Sequence, residues 1–190
     1  MDCTRRAPLI ATICATVAML GLFFNSQTAH AGLLLEPYVG YDSGQWSKSS
    51  NCTTCSAHQS GATYGARVGV ESMGFMLGGD AMSGSWTDQY SPNDSETPTS
   101  VGAFVGYDGP LMRMYFGYGI ASSLKQTRVG YEDTYSGTDY KIGIGFHLVP
   151  LIAINFEYID ATYTKDSNGP LSANVTSKMY GACLSIPVNL

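Results

Sequence analysis

Two groups of residues in this chain are of types that do chemistry. One is Cys52-Thr53-Thr54-Cys55, with His58 shortly after. Cysteines at this spacing serve as a redox pair, half of a metal site, or a small disulfide. A redox pair normally opens a helix in a βαβ setting, which is absent. A structural zinc ion asks for four ligands, and Cys52, Cys55 and His58 make three. In an oxidising compartment, Cys52 and Cys55 are expected to form a disulfide that pinches a loop, with metal binding as the alternative. The other group is a set of charges that falls on one parity of the strand pattern: Glu36, Arg67, Glu71, Asp80, Arg113, Asp139, Lys141, His147 and Glu157. These are five acids, three bases and one histidine. Paired carboxylates serve as general acid and base, but no spacing marks such a pair. The two readings left are an interlocked set of ion pairs filling an interior and a polar pathway through it.

The element that positions these charges is Tyr140 to Tyr158, YKIGIGFHLVPLIAINFEY. Tyr140, Ile142, Ile144, Phe146 and Leu148 share one face, and Lys141, Gly143, Gly145 and His147 the other. Past Val149-Pro150, Ile152, Ile154, Phe156 and Tyr158 alternate with Ala153, Asn155 and Glu157. Period-2 alternation predicts strands with two different environments. A continuous apolar face opposite a narrow face of glycine and mixed charge suits lipid outside and a small polar lumen inside.

The same pattern recurs along the chain. It predicts strands over 33–41, 62–71, 75–86, 99–107, 111–122, 140–149, 151–163 and 172–190, each of about nine to twelve residues or more, enough to cross a tilted bilayer. Pro37 cannot donate to a ladder, so a bulge or a locally missing bond is expected there. Segments 42–61, 87–98, 123–137 and 164–171 are polar and read as long loops. The connections at 72–74, 108–110 and 149–150 are tight turns on the side where both ends of the sheet emerge. Long and short connections therefore alternate, as they do in an eight-stranded antiparallel transmembrane up-and-down β-barrel.

Composition agrees. Of 190 residues, 22 are Gly and 13 Tyr, with Lys plus Arg only 10 and a net charge of −5. That excludes a basic nucleic-acid binder. Arg5-Arg6, an apolar run from Leu9 to Phe24 and Ala29-His30-Ala31 predict a cleaved signal peptide over 1–31 and a barrel over 32–190. Apart from that run, no segment is long and apolar enough for a membrane helix.

The LEPYVGYDSG opening, the eight alternating segments and the terminal run Tyr180, Ala182, Leu184, Ile186, Val188, Leu190 resemble the small outer-membrane barrels of Gram-negative bacteria, the OmpA-like and OmpX/OmpW-like families. In that family the last strand usually closes on an aromatic residue. Here it ends in Leu190 and is interrupted by Pro187. The resemblance implies export to the outer membrane, insertion by the outer-membrane assembly machinery, contact with lipid and lipopolysaccharide, and a monomer. No cofactor is implied.

Tyr41, Trp46, Tyr64, Trp86, Tyr107, Tyr140 and Tyr163 fall near predicted strand ends and are expected to form interface girdles. Lys178 falls on the outward parity near a loop end, as a rim charge or as a cation reaching toward lipid phosphate. Lipid-modifying enzymes of this architecture need a serine or histidine constellation at the rim. His58 lies in a loop and His147 near a short turn, and neither completes one. The expected role is structural or interactive, with an interior closed by ion pairs. A narrow solute channel is the alternative, and a soluble lipocalin-like binder, with its facing inverted, is a third reading. If the facing is right, Ile144→Arg should cost about 2–4 kcal/mol of folding stability near the bilayer midplane. The check is urea unfolding in lipid vesicles, where unchanged stability would invert the facing.

Overall fold

The structure is a computed structural model that describes residues 32–48, 56–88, 94–128, 130–149 and 151–190. The expected signal peptide and the Cys52–Cys55 disulfide lie outside these residues. The elements are β1 (Gly32–Lys48), β2 (Ser56–Ser72), β3 (Phe75–Asp88), β4 (Ser95–Asp108), β5 (Met112–Arg128), β6 (Tyr131–Val149), β7 (Ile152–Asp166), β8 (Gly169–Ser185) and a short β9 (Val188–Asn189). From β1 to β8 each strand pairs antiparallel with the next, β1 also pairs with β8, and β9 pairs with β1, so the sheet closes on itself.

The short β9 is the eighth strand resumed after a break. Tyr38 faces Ser185 and Leu35 faces Val188 without any slip in register. Between them Pro37 and Pro187 fall in the same patch of the ladder, where neither can donate. One bond survives there, from Ile186 N to Pro37 O at 3.0 Å. Across β1 and β2 the register also runs unbroken through Pro37 and Ala66. The interruption is therefore a locally missing bond and not a bulge. A true bulge sits in β5, where the register shifts between Gly119 and Ser122. It moves the inward parity from Arg113, Tyr115, Gly117 and Gly119 to Ser122, Leu124 and Gln126.

The strands are longer than the alternation of apolar residues predicts. They run 14 to 19 residues, against the roughly 9–11 that span a bilayer. Most of the expected loops 42–61, 87–98, 123–137 and 164–171 are continuations of the ladder. Gly44 pairs with Gln59 and Gln45 with His58, and Ser123 pairs with both Thr99 and Ser136. The reason is a change of solvent. Below this level the outward residues are Leu35, Val39, Val68, Leu77, Val105, Phe116, Ile144, Phe156 and Leu184, all exposed. Above it the outward residues are polar, mostly Ser, Thr, Gln, His and Lys, and the inward ones mix buried polar groups such as Gln59, Glu96 and Gln126 with an apolar cluster. Met82, Trp86, Leu124, Ile159, Ala161, Tyr163, Val175 and Met179 form one buried cluster, with Trp46, Tyr135 and Leu171 packed on it. Trp46, Trp86 and Tyr163 are thus core residues and not girdle anchors, which corrects the sequence-based assignment. Each lies on the inward parity of its own strand once that strand is continued past the membrane.

The upper belt is formed by tyrosines. Tyr118 faces Tyr140 and Tyr158 faces Tyr180 across the ladder. The rings of Tyr140 and Tyr158 lie 6.1 Å apart and those of Tyr158 and Tyr180 5.1 Å apart. Tyr41 and Tyr64 are also exposed on the outer wall. At the opposite rim Tyr107 meets Phe75 edge-on at 5.3 Å.

Inward glycines make room for side chains of the neighbouring strand. A Cβ at Gly65 would strike the ring of Tyr38, and one at Gly143 the ring of Tyr115. At Gly117 it would meet nothing closer than 3.6 Å. Gly143→Ala should therefore destabilise the barrel by about 1–3 kcal/mol through overpacking, whereas Gly117→Ala should be close to neutral. Urea midpoints of the two variants in detergent micelles compare them directly, and equal midpoints would contradict this packing.

Candidate functional site

The interior between the two rims holds most of the chemistry-bearing residues. Glu36 comes from β1, Arg67 from β2, Asp80 from β3, Arg113 from β5, Lys141 from β6 and Glu157 from β7. Register sets several of these contacts: Glu36 lies opposite Arg67, and Arg67 opposite Asp80. Glu157 lies opposite Gly143 and Gly181, and Arg113 opposite Gly145. A charge beside a glycine has space to reach across the lumen.

The six meet in one chain of alternating sign. Arg113 holds Glu36 through two parallel hydrogen bonds, Nη1 to Oε1 and Nη2 to Oε2, both 2.8 Å. The same carboxylate accepts from Arg67 Nη1 at 3.1 Å. Arg67 Nη2 donates to Glu157 and, at 2.9 Å, to Tyr115 Oη. Lys141 Nζ donates to Asp80 Oδ2 at 2.7 Å and to Tyr38 Oη at 3.2 Å, and lies 3.8 Å from Glu157. Tyr38 Oη in turn donates to Asp80 at 2.9 Å. The Arg67 guanidinium is sandwiched between the rings of Tyr38 and Tyr115, at 4.5 and 4.1 Å from their centroids. Three acids and three bases cancel. Glu36, Arg67 and Arg113 are wholly shielded, at 0% exposure. At such sites a single unpaired charge costs several kcal/mol.

The remaining candidates are not direct members of this chain, though Asp108, the partner of His147, lies 3.9 Å from Arg113. Asp139 accepts from Ser100 Oγ at 2.6 Å. His147 Nε2 lies 2.6 Å from Asp108, near the short turns. Glu71 accepts from Asn189 at 2.9 Å at the same exposed end. His58 is exposed on the outer wall and opposite Gln45. Tyr38, Tyr115, Asp108 and Asn155 are partners absent from the sequence-derived set. Tyr38 and Tyr115 could have been found there from their inward parity.

Beneath the ion pairs Leu34, Met76, Phe104 and Tyr115 form an apolar layer, and above the belt lies the apolar cluster already described. Beside Gly117 and Lys141 a gap of about 10 Å³ remains, room for about one water.

A family model described as outer membrane protein beta-barrel domain matches residues 15–179. The chain belongs to this family. It is an outer-membrane β-barrel protein, and its eight-stranded ring has the fold of known members. It superposes on Neisserial surface protein A with a TM-score of 0.56 and 16% identity, over 84% of this chain and 99% of that one. It superposes on Ail, the attachment invasion locus protein of Yersinia pestis, with a TM-score of 0.53 and 15% identity, over 83% and 100%. At these identities the likeness is one of fold. No curated protein matches the sequence.

One carboxyl above the belt is strongly perturbed. Glu96, inside the water-surrounded half, accepts from Gln126 Nε2 at 2.7 Å and from Gln59 Nε2. Burial is the largest influence and pushes its carboxyl up from 4.5 to about 7, with Asp88 and Asp94 adding to the rise and Gln126 and Arg128 opposing it. The buried Gln59 Oε1 has no hydrogen-bond partner, and a rotated amide would offer it to a protonated Glu96. An acid whose folded pKa is raised favours folding while protonated. Its contribution is complete below pH 4.5 and is lost as the pH rises through about 7. Glu96→Gln should remove this dependence and stabilise the protein at pH 8 by on the order of 1–3 kcal/mol. Unfolding midpoints of both forms from pH 4 to 8 measure it, and parallel profiles would refute the assignment.

Proposed function

We propose that this protein is a closed outer-membrane barrel, exported through its N-terminal signal segment and inserted as a monomer by the outer-membrane assembly machinery. Its role is structural and interactive. It anchors in the lipid and lipopolysaccharide layer and presents the rim of its extended strands outside the cell. No catalytic step belongs to this reading. The observation that supports it is the set of buried ion pairs and rings across the interior. Arg67, with its two flanking rings and three acidic neighbours, occupies the middle of the lumen, and Trp86, Leu124, Tyr163 and Met179 close the half above. Eight strands enclose a bore just wide enough for side chains, and these side chains use it. The short turns mark the periplasmic side and the extensions the outer side. One fold neighbour is named for attachment and invasion, and a surface-contact role for this rim is of the same kind.

The test is electrical. Reconstituted into planar bilayers, the protein should give no single-channel steps in about 1 M KCl. Discrete, reproducible conductance would replace this reading with that of a narrow solute channel.

A further inference from the structure

The two halves of the interior differ in their charge. Below the tyrosine belt three acids meet three bases. Above it Asp88, Glu96 and Asp133 are buried, whereas the buried bases among the described residues are Arg67, Arg113 and Lys141, all in the lower chain. Asp133 is answered by donors, since its Oδ1 accepts from Thr134 N at 2.9 Å and Ser167 Oγ at 2.8 Å. Glu96 is held differently. It faces Trp86 on β3 and Gln126 on β5 across the ladder, and accepts amide protons from Gln126 and Gln59. Neutral amides share a negative charge without cancelling it. Asp88, opposite Gln59 on β2, and Asp94 add to the negative field at Glu96, with Arg128 opposing it from the rim. Arg128 is half-exposed and already pairs with Asp94 at 3.0 Å. A second observation points to the same place. Gln59 is wholly buried, at 0% exposure, and its Oε1 has no hydrogen-bond partner. A bare acceptor oxygen on an amide that touches a buried carboxylate is costly, and a cation would relieve both.

We infer that Glu96, Asp88 and the amide oxygen of Gln59 hold a divalent cation, calcium by preference, inside the strand extensions. The charges fit, because two carboxylates balance a doubly charged ion. The donor types fit too. Carboxylate and amide oxygens suit hard cations, and an all-oxygen set disfavours zinc and copper. Among the described residues no three Asp, Glu, His or Cys side chains are grouped as metal ligands, so the amide oxygen and water complete the set. Gln59 already reaches Glu96 past the strand between them. Its amide, turned about its last bond, keeps that reach and presents Oε1 beside the carboxylate. Two acceptors oppose one another there until a cation lies between them. Gln126 still donates to the other carboxylate oxygen and orients it, as hydrogen bonds to ligating carboxylates do. Ligands drawn from three strands are irregularly placed. Calcium tolerates that, whereas magnesium demands a near-octahedral set and gives up its waters reluctantly. The bound ion ties β2, β3 and β4 together above the belt.

This inference goes beyond the closed-barrel reading and does not depend on it. The full chain is refolded in a maltoside detergent at pH 8 and stripped with EDTA, and its unfolding midpoint is followed as calcium chloride is added. Calcium should raise the midpoint saturably. Terbium, an ion of similar size and oxygen preference, should luminesce when Trp86, opposite Glu96 in the ladder, is excited, and calcium should displace it. Glu96→Gln should be the more stable form in EDTA, yet should need at least about tenfold more calcium for the same rise. Gln59→Met keeps the length of the side chain and removes its oxygen, so it should weaken the calcium response while leaving both carboxylates in place. Glu132→Gln, an exposed acid on β6, should respond like wild type. A wild-type midpoint unmoved by calcium, an equal rise in Glu96→Gln, or an equal rise with sodium chloride at matched ionic strength would overturn the site. Heat-modifiable gel mobility reports whether each variant is folded. Should Glu96→Gln fail to fold, an unchanged calcium and terbium response in Gln59→Met would overturn the site instead. Single-channel conductance would sink the closed-barrel reading and leave the calcium response standing.

Discussion

A charge enclosed by a membrane-embedded wall must be neutralised inside that wall, and the rest of the barrel follows from this. Arg67 cannot reach water sideways through lipid. Its guanidinium is instead shared among Glu36, Glu157 and Tyr115, with Tyr38 and Tyr115 covering its two faces. Glu36 needs a second base to balance the set, and Arg113 supplies it in a bidentate pair, the strongest geometry available to these groups. The chain of partners ends at Lys141 and Asp80. Because six strands each contribute one member, any slip in register would strand a charge. The network therefore specifies closure and register more than it adds net stability, since buried ion pairs roughly cancel their own desolvation cost.

Glycine is the other half of that constraint. Long charged and aromatic side chains can cross so narrow a bore only if the facing positions are empty. The structure supplies the space next door: Gly143 beneath Tyr115, Gly65 beneath Tyr38, Gly145 beneath Arg113 and Asn155, Gly181 beside Asp42. At these positions the Gly-rich inner parity is thus a packing pattern, with the glycine matched to a large side chain nearby. The tyrosine belt then marks where the rule changes. Above it the outside is water, so the wall turns to Ser, Thr, Gln and Lys, and the interior gathers Trp86, Leu124, Tyr163 and Met179 like the core of a soluble barrel. One continuous ladder carries both patterns.

That double pattern explains what could be read in the residues alone. Parity from Tyr140 to Tyr158 was enough to place Ile144 outside and Lys141, Glu157 and Asn155 inside, and to count the strands. Strand ends were less legible, because polar water-facing strands rich in Ser and Thr look like loops once their apolar partners are read as anchors. Trp46, Trp86 and Tyr163 were misjudged for that reason: large aromatics at the end of an apolar run suit a girdle and a core equally well. Only continuing the parity through the polar stretch separates the two. Neither did facing tell which strands meet across a lumen. Glu36 and Arg113 are far apart in the chain, and Tyr38 and Tyr115 become partners of Arg67 only after closure. The belt itself was half visible. Tyr118, Tyr158 and Tyr180 lie on the outward parity, but their alignment into a belt depends on strand stagger.

If the barrel is closed as proposed, it is confined in how it can act. Among the described residues a gap on the scale of one water lies beside Gly117, and widening the bore there would pull apart charges held by partners on other strands. Solute passage would therefore require the network to open as a unit, at a cost of several kcal/mol for each charge left alone. The outer wall is under no such restraint. Lys178 and Asp160 touch neither the lumen network nor the apolar core, and their exchange would leave both intact. A polar row immediately above a lipid-facing belt is not required for folding, since Ser or Thr would solvate that level as well.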